Sequence, residues 1–206
     1  MLDLLITGGL VIDGTGNPGY YGAVGIEGER VRLFRGALDD VQAHQTLDAT
    51  GRVICPGFID MHAHSGLVIL SEPRHEPKVR QGVTTEVAVL IGDYPSPRTY
   101  GTFLVILAEF VREERWLGLA DAIRKMTSFP AQRLGLPERG LLRDGFKADV
   151  VVFDGGTVKA PATRREPKQF PVGIEQVIVN GRIVVDQGRH TGVLAGRALR
   201  RGRTST

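Results

Sequence analysis

The chain has 206 residues, 42% of them hydrophobic and 24% charged, with a mean hydropathy of -0.05 and a formal net charge of +3. This balance suits one globular domain or two small ones and excludes a weakly hydrophobic, disordered chain. Much of the charge sits in a tail of Arg197, Arg200, Arg201 and Arg203, with no basic stripe interleaved with aromatics, so no nucleic-acid partner is expected.

A single cysteine, Cys55, excludes an internal disulfide framework and suits a reducing compartment. No apolar run reaches the ~18–20 residues needed to span a bilayer. The opening Leu2-Asp3-Leu4-Leu5-Ile6 carries neither the cationic region nor the cleavage site of a signal peptide. A soluble, cytoplasmic protein with no membrane partner is the expectation.

In chain order, the first fifty-odd residues read as short strands broken by glycine turns. Leu4-Leu5-Ile6 and Leu10-Val11-Ile12 flank Gly8-Gly9, which predicts a hairpin. Ala23 to Ile26 and Val31 to Phe34 enclose Glu27-Gly28-Glu29-Arg30, which predicts another. Val53-Ile54 leads through Cys55-Pro56-Gly57 into Phe58-Ile59-Asp60. The period then changes. Thr102 to Arg115 reads as a helix, and Leu119, Ile123 and Met126 fall on one helical face. Pro130 ends that helix or opens a short new one. From Gly140 the β pattern returns: Val150-Val151-Val152-Phe153 is a strand, and Asn180-Gly181 joins Val177-Ile178-Val179 to Ile183-Val184-Val185 as a hairpin.

Gly57-Phe58-Ile59-Asp60-Met61-His62-Ala63-His64 carries the chemistry. Strand side chains alternate faces, so His62 and His64 point the same way from the end of an apolar strand. Two imidazoles so placed can ligate one divalent metal, and neutral imidazole suits zinc. A chance pair of surface or core histidines is the structural alternative.

Pro56 to His64 resembles the signature of the amidohydrolase superfamily, in which the His-x-His pair closes the first barrel strand. Gln81-Gly82-Val83-Thr84-Thr85-Glu86-Val87 resembles the second barrel strand of its D-aminoacylase (N-acyl-D-amino-acid deacylase) family. Pro97-Arg98-Thr99-Tyr100-Gly101-Thr102-Phe103 resembles that family's segment after the last barrel strand. Gly140-Leu141-Leu142, Ala148 to Asp154, Gly173-Ile174-Glu175 and Val179-Asn180-Gly181 resemble its C-terminal β domain.

The resemblance implies a zinc-dependent hydrolase that cleaves N-acyl-D-amino acids to a carboxylate and a free D-amino acid. Zinc would be held by His62 and His64 and would polarise the amide carbonyl and activate water. Asp93, in Ile91-Gly92-Asp93, resembles the catalytic base at the end of the last strand; a turn aspartate ahead of Tyr94-Pro95 is the structural alternative. Arg98 matches an arginine that holds the substrate's carboxylate, a task for a planar bidentate donor. Ser96 stands where the family has histidine.

A complete (β/α)8 barrel takes ~250 residues, which this chain cannot supply. The strand-two motif runs almost directly into material resembling the last strand, and the family's cysteine ligand after strand two and two later histidine ligands have no counterpart. Cys55 precedes the His-x-His, and His44, His75 and His190 read as loop or surface residues. The expected fold is therefore α/β plus β. A composite β-sandwich from residues 1–55 and 140–200 should carry a truncated (β/α)8-type barrel segment, 56–139. Open strand edges imply self-association. Two functions stand: a deacylase of N-acyl amino acids, or a non-catalytic remnant or scaffold module of the same family, inactive as an isolated chain.

Overall fold

A computed structural model describes residues 1–65, 68–88 and 100–199. The strands β1 (Leu2–Thr7), β2 (Leu10–Val11), β3 (Tyr20–Tyr21), β4 (Ala23–Glu27), β5 (Arg30–Phe34), β6 (Ala43–Asp48) and β7 (Val53–Pro56) come first. Then follow β8 (Phe58–Ala63), the short helices α1 (Val68–Ser71) and α2 (Glu76–Val79), and β9 (Val83–Ala88). Helix α3 (Thr102–Val105) continues as a π-helix over Ile106–Glu113, and α4 (Leu119–Met126) and α5 (Ser128–Leu134) follow. The strands β10 (Val150–Phe153), β11 (Ile174–Val179), β12 (Arg182–Asp186) and β13 (Arg189–His190) complete the order.

Three sheets result. Four strands run β5-β4-β1-β6, seven run β13-β12-β11-β10-β7-β2-β3, and β8 pairs with β9 alone among the described residues. Both ends of the sequence thus share the seven-stranded sheet, where β7 lies antiparallel to β10 and parallel to β2. Its residues explain its position. Ile54, Val150, Val152 and Ile178 face a core shared with Leu4, Ile6, Val24 and Ile26 of the four-stranded sheet. Their neighbours Val53, Cys55, Val151, Phe153 and Val177 face a second core with Phe58, Leu104, Leu107 and Ile123. A strand covered on both faces needs an unbroken apolar run, which Val150-Val151-Val152-Phe153 provides. Each such side chain contributes about 1.5–3 kcal/mol on leaving water.

The Gly8-Gly9 hairpin does not form. β1 pairs with β4 and β6, whereas β2 pairs with β3 and β7 in the other sheet, so the glycines carry the chain from one sheet to the next. Crossing there lets Leu4 and Ile6 enter the shared core from one side and Val11 from the other. The second expected hairpin does form as β4–β5, with Glu27 opposite Arg30. Asn180-Gly181 joins β11 to β12 with both residues at positive φ, 48° and 80°. A two-residue hairpin turn of this kind requires that conformation. A Cβ on Gly181 would lie 2.0 Å from Gly28 O, so the turn at the C-terminal end packs directly on the turn of β4–β5.

The expected helix over 102–115 is present, but most of it is π-wound, with Glu114 N–H reaching Glu109 O at 2.7 Å. That winding is rare. It leaves Leu104, Leu107 and Ala108 buried. Ile123 and Met126 of α4 are buried as their spacing predicts, and Pro130 sits in the first turn of α5. No helix among the described residues is long and apolar enough to cross a membrane.

Candidate functional site

The chain leaves the seven-stranded sheet at Gly57, whose N–H still donates to Asp149 O at 2.9 Å. A Cβ at Gly57 would lie 2.0 Å from Thr84 Oγ1, so a larger residue there would force β9 away from β8. Phe58 comes next, fully buried and stacked on Phe103 with ring centroids 5.5 Å apart. That anchor fixes the base of β8. Its far end carries Asp60 and His62, with His64 just beyond the strand.

His62 Nε2 and His64 Nε2 lie 3.0 Å apart, with the rings edge-on and their centroids at 4.8 Å. One ring must donate and the other accept for this contact to be a hydrogen bond. The same spacing suits a shared metal. Two imidazole nitrogens each ~2.0–2.1 Å from one zinc stand roughly 2.8–3.4 Å apart at angles from a right angle to tetrahedral. His62 is exposed and His64 half-buried, so the pair opens to solvent. Among the described residues no group of three or more His, Cys, Asp or Glu is placed to hold a metal ion.

Beneath the pair lies a polar network. Lys78 of α2 forms an ion pair with Asp60 Oδ2 and stands 3.9 Å from Glu86 Oε2. The other Asp60 oxygen accepts the backbone N–H of His62 at 3.0 Å. Asp60 therefore clamps the backbone that aims His62, at the point where the β8–β9 register shifts between Asp60 and Ala63. Glu86, opposite Asp60 on β9, accepts a hydrogen bond from Ser65 Oγ and has His75 Nε2 at 3.1 Å, off hydrogen-bond alignment. Burial pushes both carboxyls up, but the opposing contacts prevail and leave both below the usual range. Those contacts are Lys78 and the His62 N–H at Asp60, and His75, Ser65 and Lys78 at Glu86.

Asp93 and Arg98 lie outside the described residues. Cys55 is buried on β7, where desolvation pushes its thiol up and away from the reactive thiolate. His44 is exposed on β6 and His190 lies on β13. His75 departs from the loop-surface reading: it caps α2 in the left-handed conformation, with its side chain only 13% exposed beside Glu86. Sequence reasoning also missed Lys78. The available signal was Asp60, a carboxylate directly after the apolar Phe58-Ile59, which needs a cation once drawn partly out of water.

The sequence profile described as "Amidohydrolase family" matches residues 90–185. The chain is 50% identical over 99 residues to N-acyl-D-aspartate deacylase of Alcaligenes xylosoxydans xylosoxydans, covering 48% of this chain and 20% of that protein. It is 38% identical over 137 residues to N-acyl-D-glutamate deacylase of the same organism, covering 63% and 28%. The sequence matches are thus to the D-aminoacylase family of amidohydrolases. The chain spans only about 20 to 28% of the length of these curated relatives.

Its fold resembles a crystal structure of D-aminoacylase with a TM-score of 0.89 at 17% identity, over 98% of this chain and 100% of that one. It also resembles N-acyl-D-glutamate deacylase from Bordetella bronchiseptica, described as complexed with zinc and a phosphonate inhibitor, with a TM-score of 0.80 at 18% identity over 95% and 100%. The structural alignments run end to end, whereas the sequence matches cover about a quarter of their relatives. The fold of these two structures is therefore shared over nearly the whole chain.

Proposed function

We propose that this amidohydrolase chain is a zinc-binding half-site of the N-acyl-D-amino-acid deacylase type. Its reaction class is hydrolysis of the amide of an N-acyl-D-amino acid to a carboxylate and a free D-amino acid. The observation that carries the reading is the 3.0 Å separation of His62 Nε2 and His64 Nε2 at the outer end of β8. A divalent zinc held there would supply Lewis-acid polarisation of the carbonyl and activation of water. Asp60, tied to Lys78, holds the His62 backbone in place for that ion. Asp93 takes the role of general base and Arg98 that of carboxylate clamp, by their resemblance to the family's motifs.

The architecture follows the same reading. Residues 1–55 and 140–200 form the composite β-sandwich, supported by the core that both larger sheets share. Residues 56–139 form the truncated barrel segment, with β8 and β9 as its first two strands. Parallel strands are otherwise found in larger sheets covered on both faces, so a parallel pair with no third strand among the described residues supports this reading.

The second reading, a non-catalytic module, is favoured by the lack of any three-donor group among the described residues. Catalytic zinc sites keep about three protein ligands. Both readings are met by one expectation: the isolated chain binds zinc weakly and turns over N-acyl-D-amino acids no faster than buffer. Its β8 edge away from β9 also drives concentration-dependent self-association. Zinc titration of the wild type and of His62→Ala, with turnover measured in the same samples, is the test. Loss of zinc in the variant supports the half-site. Tight stoichiometric zinc with turnover that disappears in His64→Ala rules out the inactive module, and zinc uptake unchanged in His62→Ala rules out the half-site.

A further inference from the structure

The β8–β9 ladder stops short of the second histidine. It pairs Asp60 with Glu86, shifts register, and resumes only at Ala63 opposite Ala88, where β8 ends. His64 and Ser65 therefore lie beyond the strand, and pairing with β9 does not fix the direction of the His64 ring. Ser65 is nonetheless only 8% exposed, whereas His64 beside it is half-buried. The Ser65 carbonyl accepts Ile69 N–H at 3.1 Å, and its hydroxyl donates to Glu86 Oε1, 21 residues along the chain. Glu86 is itself held from α2 and its cap: His75 Nε2 stands 3.1 Å from Oε1, and Lys78 Nζ 3.9 Å from Oε2. Lys78 also pairs with Asp60, the residue that holds the His62 N–H. The ties of both histidines thus converge on one short helix.

We propose that Glu86 is a positioning residue for His64, acting through Ser65, and so presets the second nitrogen of the zinc half-site. The proposal rests on the half-site reading of His62 and His64. Glu86 is no zinc donor itself: no group of three His, Cys, Asp or Glu forms among the described residues, so it does not join the two histidines around one ion. Nor is neutralising Lys78 its main task, because Asp60 is the carboxylate nearer to that cation. What Glu86 supplies is an acceptor. A hydroxyl buried as far as that of Ser65 needs one, and through it the residue next to His64 is pinned to β9. Without the acceptor Ser65 turns back toward water, and the His64 ring loses the 3.0 Å approach to His62 that a shared ion requires. Outer contacts that orient a ligand histidine are typically worth about 10–100-fold in metal affinity.

The test uses zinc alone and the full chain, isotope-labelled in its histidine rings, at pH ~7.5 where ordinary imidazoles are neutral. His62→Ala and His64→Ala assign the two ring signals. Glu86→Ala and Ser65→Ala should each weaken zinc uptake about tenfold or more. In the metal-free chain both should also merge the distinct His62 and His64 ring signals into exchange-averaged ones. Glu86→Gln keeps an acceptor for Ser65 without the charge, so its zinc uptake should stay within about threefold of the wild type, with the ring signals distinct. Zinc uptake and ring signals unchanged in Ser65→Ala would overturn the proposal. So would a Glu86→Gln as damaging as Glu86→Ala, since charge and not the hydrogen bond would then be the active feature. Where Glu86→Ala does not fold, Ser65→Ala set against Glu86→Gln decides alone. Ring signals that merge as expected in a chain that takes up no zinc would sink only the half-site. Zinc uptake lost in His62→Ala but untouched in Ser65→Ala would sink only the positioning role.

Discussion

The two β regions of this molecule are built from similar residues and differ in how fully they are paired. In the seven-stranded sheet, β10 has a strand on either side and a core on either face. Its connection to the hairpin turn is locked by Arg139, which pairs with Asp149 and donates to Asn180 Oδ1 at 2.6 Å. The β8–β9 pair has one ladder, is anchored at its base by Phe58 and Val83, and ends in Val87 and Ala88 exposed to solvent. The difference teaches that full pairing and the candidate histidine pair lie in different parts of the chain. Both larger cores form where the two ends of the sequence meet, and His62 and His64 stand at the outer end of a two-stranded sheet.

The largest expected effect breaks the stronger region. Arg139→Ala leaves Asp149 buried at 4% side-chain exposure without its cation, and Asn180 loses a donor. Removing one partner of a buried pair costs about 3–5 kcal/mol, which denaturant unfolding would read as a lower midpoint with unchanged slope. A loss below about 1 kcal/mol would mean that the clamp is not what holds the two ends together. The next effect falls on the weaker region. Lys78→Met removes the cation shared by Asp60 and Glu86, whose side chains are 18% and 13% exposed. Leaving partly buried carboxylates unpaired costs about 1–3 kcal/mol. Hydrogen exchange should quicken at Val83–Ala88 while β10 and β11 stay protected. Uniform loss of protection across both regions would show one cooperative unit in place of two. Smaller still, His62→Ala should shift global stability by less than about 0.5 kcal/mol, since the ring is exposed and stacks edge-on against His64. Its zinc uptake should nonetheless disappear.

The stronger region was largely legible. Asn180-Gly181 announces its hairpin because few dipeptides accept two left-handed residues, and the four apolar residues of β10 announce burial on both faces. The Gly8-Gly9 step was misread because a glycine pair marks a change of direction without saying which sheet the next strand joins. That choice is set by packing of Leu4, Ile6 and Val11 in a core formed by residues far apart in sequence. At the candidate site, strand periodicity placed His62 and His64 together. It could not reveal Lys78, which comes from a helix 16 residues beyond His62 and reaches Asp60 only after the chain folds back. Nor could it find His75, whose left-handed backbone at 50°, 38° carries no local glycine or asparagine signal.

Acidification should separate the two regions most gently. Asp60 and Glu86 both have carboxyls lowered in the folded state, despite the opposing effect of burial. A lowered folded value means that the unfolded chain takes up protons first as pH falls. The contribution to stability is therefore complete above the ordinary carboxylate range of ~4, and it is lost as pH drops from there through the depressed folded values. Protonation neutralises the carboxylates but leaves their oxygens in place to accept from the His62 N–H and Ser65 Oγ. The loss should thus be smaller than that caused by Lys78→Met. In the variant it should shrink further, because Lys78, the main lowering contact at Asp60 and a lesser one at Glu86, is gone. Hydrogen exchange at Val83–Ala88, followed from pH ~6 to ~3 and corrected for intrinsic rates, would read this directly. Equal acid sensitivity in the wild type and in Lys78→Met would show that Lys78 does not set the charge state of the two carboxylates, and the β8–β9 pair would have to owe its order to the apolar packing of Phe58, Ile59 and Val83.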